Sequence, residues 1–162
     1  MMKLGFKLVT EPITLWVQVL QGKYKVTNKI PDYLSRSRCS FLWKALTKVW
    51  PLIRGNLLWS IRDGRNVRCW QDPWVPNTRL LVNLIPSHSN LDLDCLLSEM
   101  VSDNDTWNLD LFWVWLLEMI VCKIIGVLPT YPTAGVDKII RGGMSTGSFS
   151  IKSAYRKIQE TF

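Results

Sequence analysis

The sequence predicts an α+β fold: helices around a central β-hairpin, then a helical pair, then a C-terminal hairpin with a last helix. Three observations carry this expectation. Two early stretches repeat apolar residues at helical spacing. An Asp-Gly pair divides a strand-like stretch at 57–70. Residues 107–125 read as two consecutive helices, and Pro129 and Pro132 make the next link extended.

The first helix is expected to begin at Pro12, since proline suits a first helical position. Ile13, Trp16, Val17 and Leu20 follow at i, i+3, i+4 and i+7, one face of a helix, and Gly22 is its expected stop. A polar, basic loop covers 23–38. Ser40 is the expected N-cap of a second helix, whose stripe is Leu42, Ala45, Leu46 and Val49 and whose end lies near Pro51. Both stripes are expected to pack into a core.

Residues 57–70 are expected to form the central hairpin, because Asp63-Gly64 suits a turn with positive φ. A two-residue loop would pair Trp59 with Arg68. A four-residue loop would pair it with Trp70. Residues 71–89 contain Pro73, Pro76 and Pro86 and are expected to be irregular. Residues 91–101 carry a weak pattern, a short strand or a helix. Helices are expected over about 107–116 and 118–125. Residues 136–140 and 148–150 read as short strands joined by the Gly-rich turn 142–147. Ser150 caps a last helix carrying Ile151, Ala154, Tyr155 and Ile158.

With 162 residues, 48% hydrophobic and 20% charged, the chain is long and apolar enough for one ordinary domain with a core. Many of its nine Trp are expected to be half-buried, because indole N–H groups need partners. The apolar window 111–128 contains Glu118 and Lys123, and such charges cost about 2.5–3.5 kcal/mol each in a bilayer, so it reads as buried helix and not as a membrane span. The start, Met1-Met2-Lys3-Leu4-Gly5-Phe6, lacks the pattern of a secretion signal. The expectation is an intracellular protein, in nucleus or cytoplasm, with reduced thiols.

Charge is uneven. Up to Arg79 there are fourteen Lys and Arg against four Asp and Glu; beyond it there are six against nine. A basic half interleaved with aromatics is suited to RNA or single-stranded DNA, by phosphate contact and base stacking. The candidate contacts are Lys23, Lys25, Lys29, Arg36, Arg38, Arg65 and Arg68. The alternative is a basic surface that only keeps the protein soluble.

Catalytic chemistry finds little footing. Two-metal polymerases and nucleases need clustered carboxylates. Asp92/Asp94 and Asp103/Asp105 are the nearest to clusters, and their polar surroundings favour turn and capping roles. Cys39, Cys69, Cys95 and Cys122 form no close pair and His88 is the one histidine, so no metal site is expected. The run 142–147 lacks the Lys-Ser/Thr of a phosphate loop. No cofactor, small-molecule substrate or membrane partner is implied.

The stretch 59–74 resembles a pattern of plant LINE-type (non-LTR) retrotransposon reverse transcriptases: Trp-x-Ile-x-Asp/Asn-Gly, a few residues, Ile/Val-x-x-Trp, then x-Asp-x-Trp. The matching positions are Trp59, Ile61, Asp63, Gly64, Val67, Trp70, Asp72 and Trp74. Flanking matches keep the family order: Leu15-Trp16-Val17, Leu20 and Lys23-Tyr24, then Ser40-Phe41-Leu42-Trp43-Lys44, then Trp107-Asn108, then Asp137 with the run from Gly147 to Tyr155. The resemblance implies a region between the polymerase domain and the zinc-binding segment, without the catalytic residues of the first or the Cys/His ligands of the second. It implies a truncated, non-catalytic piece with at most residual nucleic-acid affinity. A small host-expressed module for RNA or single-stranded DNA is the alternative. One position departs. Where the family has Trp after the Asp, in an Asp-x-x-x-Trp pattern, this chain has Arg141. If that site is core, the exchange loses about 3–5 kcal/mol of packing, the mark of a decaying copy.

Overall fold

The structure, a computed structural model, describes residues 1–26, 29–35 and 40–142. Helices and a two-stranded sheet make it α+β, as the sequence predicts. The chain divides into two compact units. One holds Met1–Leu57 and the other Leu58–Gly143.

The first unit opens with a helix the sequence patterns did not indicate, α1 (Met2–Thr10). Its buried face is Gly5, Leu8 and Val9. Gly5 lets α1 lie directly on α3 (Phe41–Arg54), since a Cβ there would stand 2.3 Å from Ile53 Cδ1. No side chain caps its start and a glycine interrupts its apolar run, so it left little local signal.

The second helix, α2 (Leu15–Tyr24), starts later than expected. Residues 11–14 form a turn closed by Thr14 N–H donating to the Glu11 carbonyl (3.2 Å), and Thr14 sits extended as the cap. Pro12 therefore lies outside the helix and Ile13 is 86% exposed. The helix also runs past Gly22. Tyr24 holds the last turn by stacking on Trp43 (centroids 3.9 Å apart, planes 13°) and by hydrogen bonding with Ser40 (3.2 Å). Lys25, in the left-handed region (φ 52°), ends it.

Ser40 caps α3 as expected, its hydroxyl accepting from Trp43 N–H at 3.3 Å. The helix continues through Pro51 to Arg54, and its buried face is Trp43, Leu46, Thr47, Trp50 and Ile53. That face is rotated by about one residue from the expected stripe, and Leu42 is 42% exposed. Side-chain size decides this: two Trp bury more apolar area than Leu42 and Val49 would. Both indoles also have work to do. Trp43 Nε1 donates to the Ser35 carbonyl (2.7 Å) and Trp50 Nε1 to the Pro31 carbonyl (3.0 Å), tying residues 31–35 to the helix.

In the second unit the expected central hairpin does not form. Strand β1 (Leu57–Ser60) pairs with β2 (Lys138–Arg141), distant in sequence. No strand ladder sets Trp59 opposite Arg68 or Trp70; its N–H donates to the Pro73 carbonyl (2.7 Å). Residues 67–69 run antiparallel to 95–97, with Leu97 N–H to the Val67 carbonyl (2.8 Å) and Cys69 N–H to the Cys95 carbonyl (2.9 Å) around an Arg68–Leu96 bridge. The weak pattern at 91–101 resolves into that bridge and a single 3₁₀ turn, Leu97–Met100. A second such turn, Leu81–Leu84, lies in the stretch expected to be irregular.

The helical pair is present as α4 (Asp110–Trp115) and α5 (Glu118–Ile125). α4 starts three residues later than expected because Trp107 is extended, bridged to Val101 across a tight turn in which Asp105 takes φ 56°. The window 111–128 is not wholly buried. Phe112, Leu116, Val121 and Ile124 point inward, while Val114 (67%), Leu117 (73%) and Leu128 (84%) are exposed. Among the described residues no helix is long and apolar enough to cross a membrane.

Six of the nine Trp are buried rather than half-buried: Trp43, Trp50, Trp59, Trp70, Trp74 and Trp107. In the second unit Trp74 packs on Trp107 (5.3 Å) and Phe112 (6.4 Å), and Trp70 on Phe112 (5.6 Å). The expected second strand of the C-terminal hairpin, its turn and the last helix lie outside the described residues; the strand at 136–140 appears as β2 and pairs with β1.

Candidate nucleic-acid interface

The Trp59–Trp74 stretch is shaped by one carboxylate. Asp137, immediately before β2, is buried with 6% exposure. Its Oδ1 accepts the backbone N–H groups of Arg62 (2.7 Å) and Gly64 (3.0 Å), and its Oδ2 accepts that of Asn66 (3.2 Å). Alternate N–H groups of a tight loop converging on one anion form a nest. The nest replaces the ladder a hairpin would have supplied. It also answers how a buried carboxylate is tolerated, because charge-assisted bonds offset its desolvation.

Other positions of the pattern serve the same local architecture. Gly64 takes φ 67°, and a Cβ there would stand 2.4 Å from Thr130 Cγ2 and 2.8 Å from Ser98 N. Positive φ at Asp63-Gly64 was legible; its purpose, close backbone approach inside a nest, was not. Gly64→Ala is expected to destabilise the protein by about 2–3 kcal/mol, from strain plus overlap with backbone, read as a shift of the urea midpoint. Asp72 closes the following turn. Its carboxylate accepts Arg68 N–H (2.7 Å) and pairs with the Arg68 guanidinium (3.1 Å). Trp74 then returns its Nε1–H to the Cys69 carbonyl (2.8 Å).

Arg141 is buried with 4% exposure, at the position where the resembled pattern has Trp. The site is therefore core. Burial pulls its guanidinium below the usual arginine range.

The expected phosphate contacts fall in different settings. Lys23 and Lys25 are exposed at the end of α2, with Lys23 Nζ 5.4 Å from the Tyr24 ring centre. Lys29 is exposed in the loop that follows. Arg36 and Arg38 lie outside the described residues. Arg65 is exposed on the nest loop. Arg68 is committed elsewhere: besides Asp72 it donates to Gln71 (3.0 Å) and lies 3.9 Å from Asp94. Its guanidinium is a structural clamp, a role the i,i+4 spacing to Asp72 could have revealed. Arg62 and Lys138, absent from the sequence candidates, are also exposed, Arg62 on the same loop as Arg65 and Lys138 directly after Asp137.

Among the described residues no group of three His, Cys, Asp or Glu is placed to hold a metal ion. Asp92 is bonded locally, its carboxylate accepting Asp94 N–H (3.0 Å), and His88 is exposed. Cys69, Cys95 and Cys122 are free thiols. Burial raises the Cys69 thiol well above its usual range, and burial with Glu99 and Asp92 nearby pushes Cys95 up to about 11. Neither favours the thiolate a nucleophile needs at neutral pH.

No family model matches the chain, and no solved structure matches it significantly. It is similar to two proteins of Arabidopsis thaliana. It is 24% identical over 161 residues, 96% of this chain, to "Putative ribonuclease H protein At1g65750". It is 26% identical over 73 residues, 45% of this chain, to "Uncharacterized mitochondrial protein AtMg00310". The match spans 26% of the length of the first relative and 47% of the second.

Proposed function

We propose that this chain is a non-catalytic segment of a plant LINE-type retrotransposon reverse transcriptase, from between the polymerase domain and the zinc-binding segment, and that it binds RNA or single-stranded DNA by phosphate contact. The observation that carries the origin is similarity along 96% of the chain to a protein named for ribonuclease H, together with the eight-position pattern at 59–74. The side chains of that pattern support a structural role. Trp59, Val67, Trp70 and Trp74 are core, Gly64 completes the nest, and Asp72 closes a turn. Asp137, the buried carboxylate, is occupied by three amides. These residues therefore lend no support to the phosphoryl-transfer chemistry of the resembled enzymes.

The binding half of the proposal rests on the fourteen Lys and Arg that precede Leu80. A small host-expressed single-strand-binding protein is the second reading favoured by that same excess. In both, affinity comes from counterion release, so the logarithm of the binding constant should fall linearly with the logarithm of salt, by about 0.7 per phosphate contacted on a single strand. The test is fluorescence anisotropy with labelled oligo-dT and oligo-U between about 50 and 200 mM salt, beside primer extension with magnesium. The expected result is salt-dependent binding with extension at the buffer level. Absent or salt-independent binding overturns the binding function. Extension above buffer overturns the non-catalytic assignment.

A further inference from the structure

The loop held by Asp137 presents cations that the linear sequence keeps apart. Arg62 and Arg65 lie on the nest loop, and Lys138 follows Asp137 directly; all three side chains are exposed. The Arg62 backbone is pinned on both sides, its N–H to Asp137 (2.7 Å) and its carbonyl by Tyr131 N–H (2.8 Å). The same strand-entry segment comes close to the Arg62 side chain, whose Nη1 lies 3.7 Å from where a Cβ on Gly135 would stand. Tyr131 itself is 50% exposed.

The ion pairs among the described residues are Lys7–Glu11, Arg54–Asp32, Arg68–Asp72 and Arg68–Asp94. None draws on Arg62, Arg65 or Lys138. Of the acidic groups close in the chain or by hydrogen bond, Asp137 is buried inside the nest, Asp63 is half-buried with its carboxylate accepting Arg65 N–H (3.2 Å), and the exposed Glu99 follows Ser98, whose N–H donates to the Gly64 carbonyl (3.1 Å). The fold therefore buries the Asp137 carboxylate and leaves Arg62, Arg65, Lys138 and Tyr131 exposed, three cations that outnumber the acidic groups Asp63 and Glu99 beside them.

We propose that Arg62, Arg65 and Lys138, with Tyr131 beside them, form a contact site for a single-stranded nucleic acid. The cations meet successive phosphodiesters and Tyr131 offers a face on which a base stacks. Asp137 is the positioning residue: it fixes the loop and touches no ligand. The proposal rests on the nucleic-acid-binding reading above and assigns it to named residues.

The test compares oligo-dT binding across salt for the wild type, the triple variant Arg62→Ala/Arg65→Ala/Lys138→Ala, the double variant Lys23→Ala/Lys25→Ala, and Tyr131→Ala. The triple variant should flatten the log–log salt slope by about 2 and weaken binding at least tenfold at low salt. Tyr131→Ala should weaken it at least about fivefold and leave the slope unchanged. The charge-preserving variant Arg62→Lys/Arg65→Lys should retain the wild-type slope, which separates lost contact from lost fold. A wild-type slope in the triple variant overturns the site while leaving nucleic-acid binding intact; so does a slope that falls only in Lys23→Ala/Lys25→Ala. No binding by the wild type overturns both. Capture by anionic phospholipid vesicles with no binding to oligo-dT overturns the assignment to nucleic acid.

Discussion

Asp137→Ala should destabilise the protein by about 3–5 kcal/mol and lower its melting temperature by about 6–20 °C. The carboxylate accepts three backbone N–H groups, from Arg62, Gly64 and Asn66, and that of Gly64 is buried. Alanine leaves all three donors without a partner, and an unsatisfied buried donor costs about 1–3 kcal/mol. Asp137→Asn should fall in between. Its amide oxygen can still serve two of the donors, but the amide nitrogen then faces the third as donor against donor. A urea titration followed by Trp fluorescence reads both variants. A midpoint for Asp137→Ala within error of the wild type would mean that the loop holds itself without the nest.

Trp74→Ala should cost about 3–5 kcal/mol, the range for emptying an aromatic core position. Trp74 is 1% exposed and packs on Trp107 and Phe112 at once. Its indole N–H also satisfies the Cys69 carbonyl in the interior (2.8 Å). Trp74→Phe keeps most of the packing and orphans that carbonyl, so about 1–3 kcal/mol is expected. Trp113→Ala is the comparison: Trp113 is 48% exposed on α4 and should change stability by less than about 1 kcal/mol. The measurement is again the denaturation midpoint, with an unchanged slope m confirming that stability and not compactness has moved. Equal effects for Trp74→Ala and Trp113→Ala would contradict the assigned core.

The pattern of success and failure in the sequence has a physical basis. Local signals were legible where local forces decide. The Ser40 cap, the positive φ at Gly64 and α5 are set by residues within a turn of each other. The buried face of α3 was misplaced by one residue because periodicity does not weigh Trp50 against Val49. The hairpin failed for a deeper reason. Residues 57–70 carry turn chemistry and aromatic pairs compatible with cross-strand pairing, and only tertiary structure reveals that β1 pairs with β2 while Asp137 claims the loop. One sign was available: an acidic residue beside the apolar pair Ile139-Ile140 needs a partner once buried.

The candidate site divides in the same way. Arg65 was legible as an exposed cation beside a turn. Arg62 and Lys138 were not, because what unites them is a hydrogen-bonded nest between segments far apart in the chain. Arg68, a candidate phosphate contact by sequence, pairs with Asp72 four residues on, a spacing at which the two side chains meet. Identifying the stretch by resemblance did not determine its geometry. In this chain the pattern forms a loop-and-core module, in which Trp59, Trp70 and Trp74 pack and Gly64 and Asp72 serve turns.

Whether one distant carboxylate folds the Trp59–Trp74 stretch is read most directly by amide hydrogen exchange. In the wild type the N–H groups of Arg62, Gly64 and Asn66 should exchange slowly together, and in Asp137→Ala all three should become fast while the Trp43 amide of α3, bonded to Ser40, keeps its rate. Fast exchange at those three amides in the wild type, or unchanged protection after the substitution, would contradict the account.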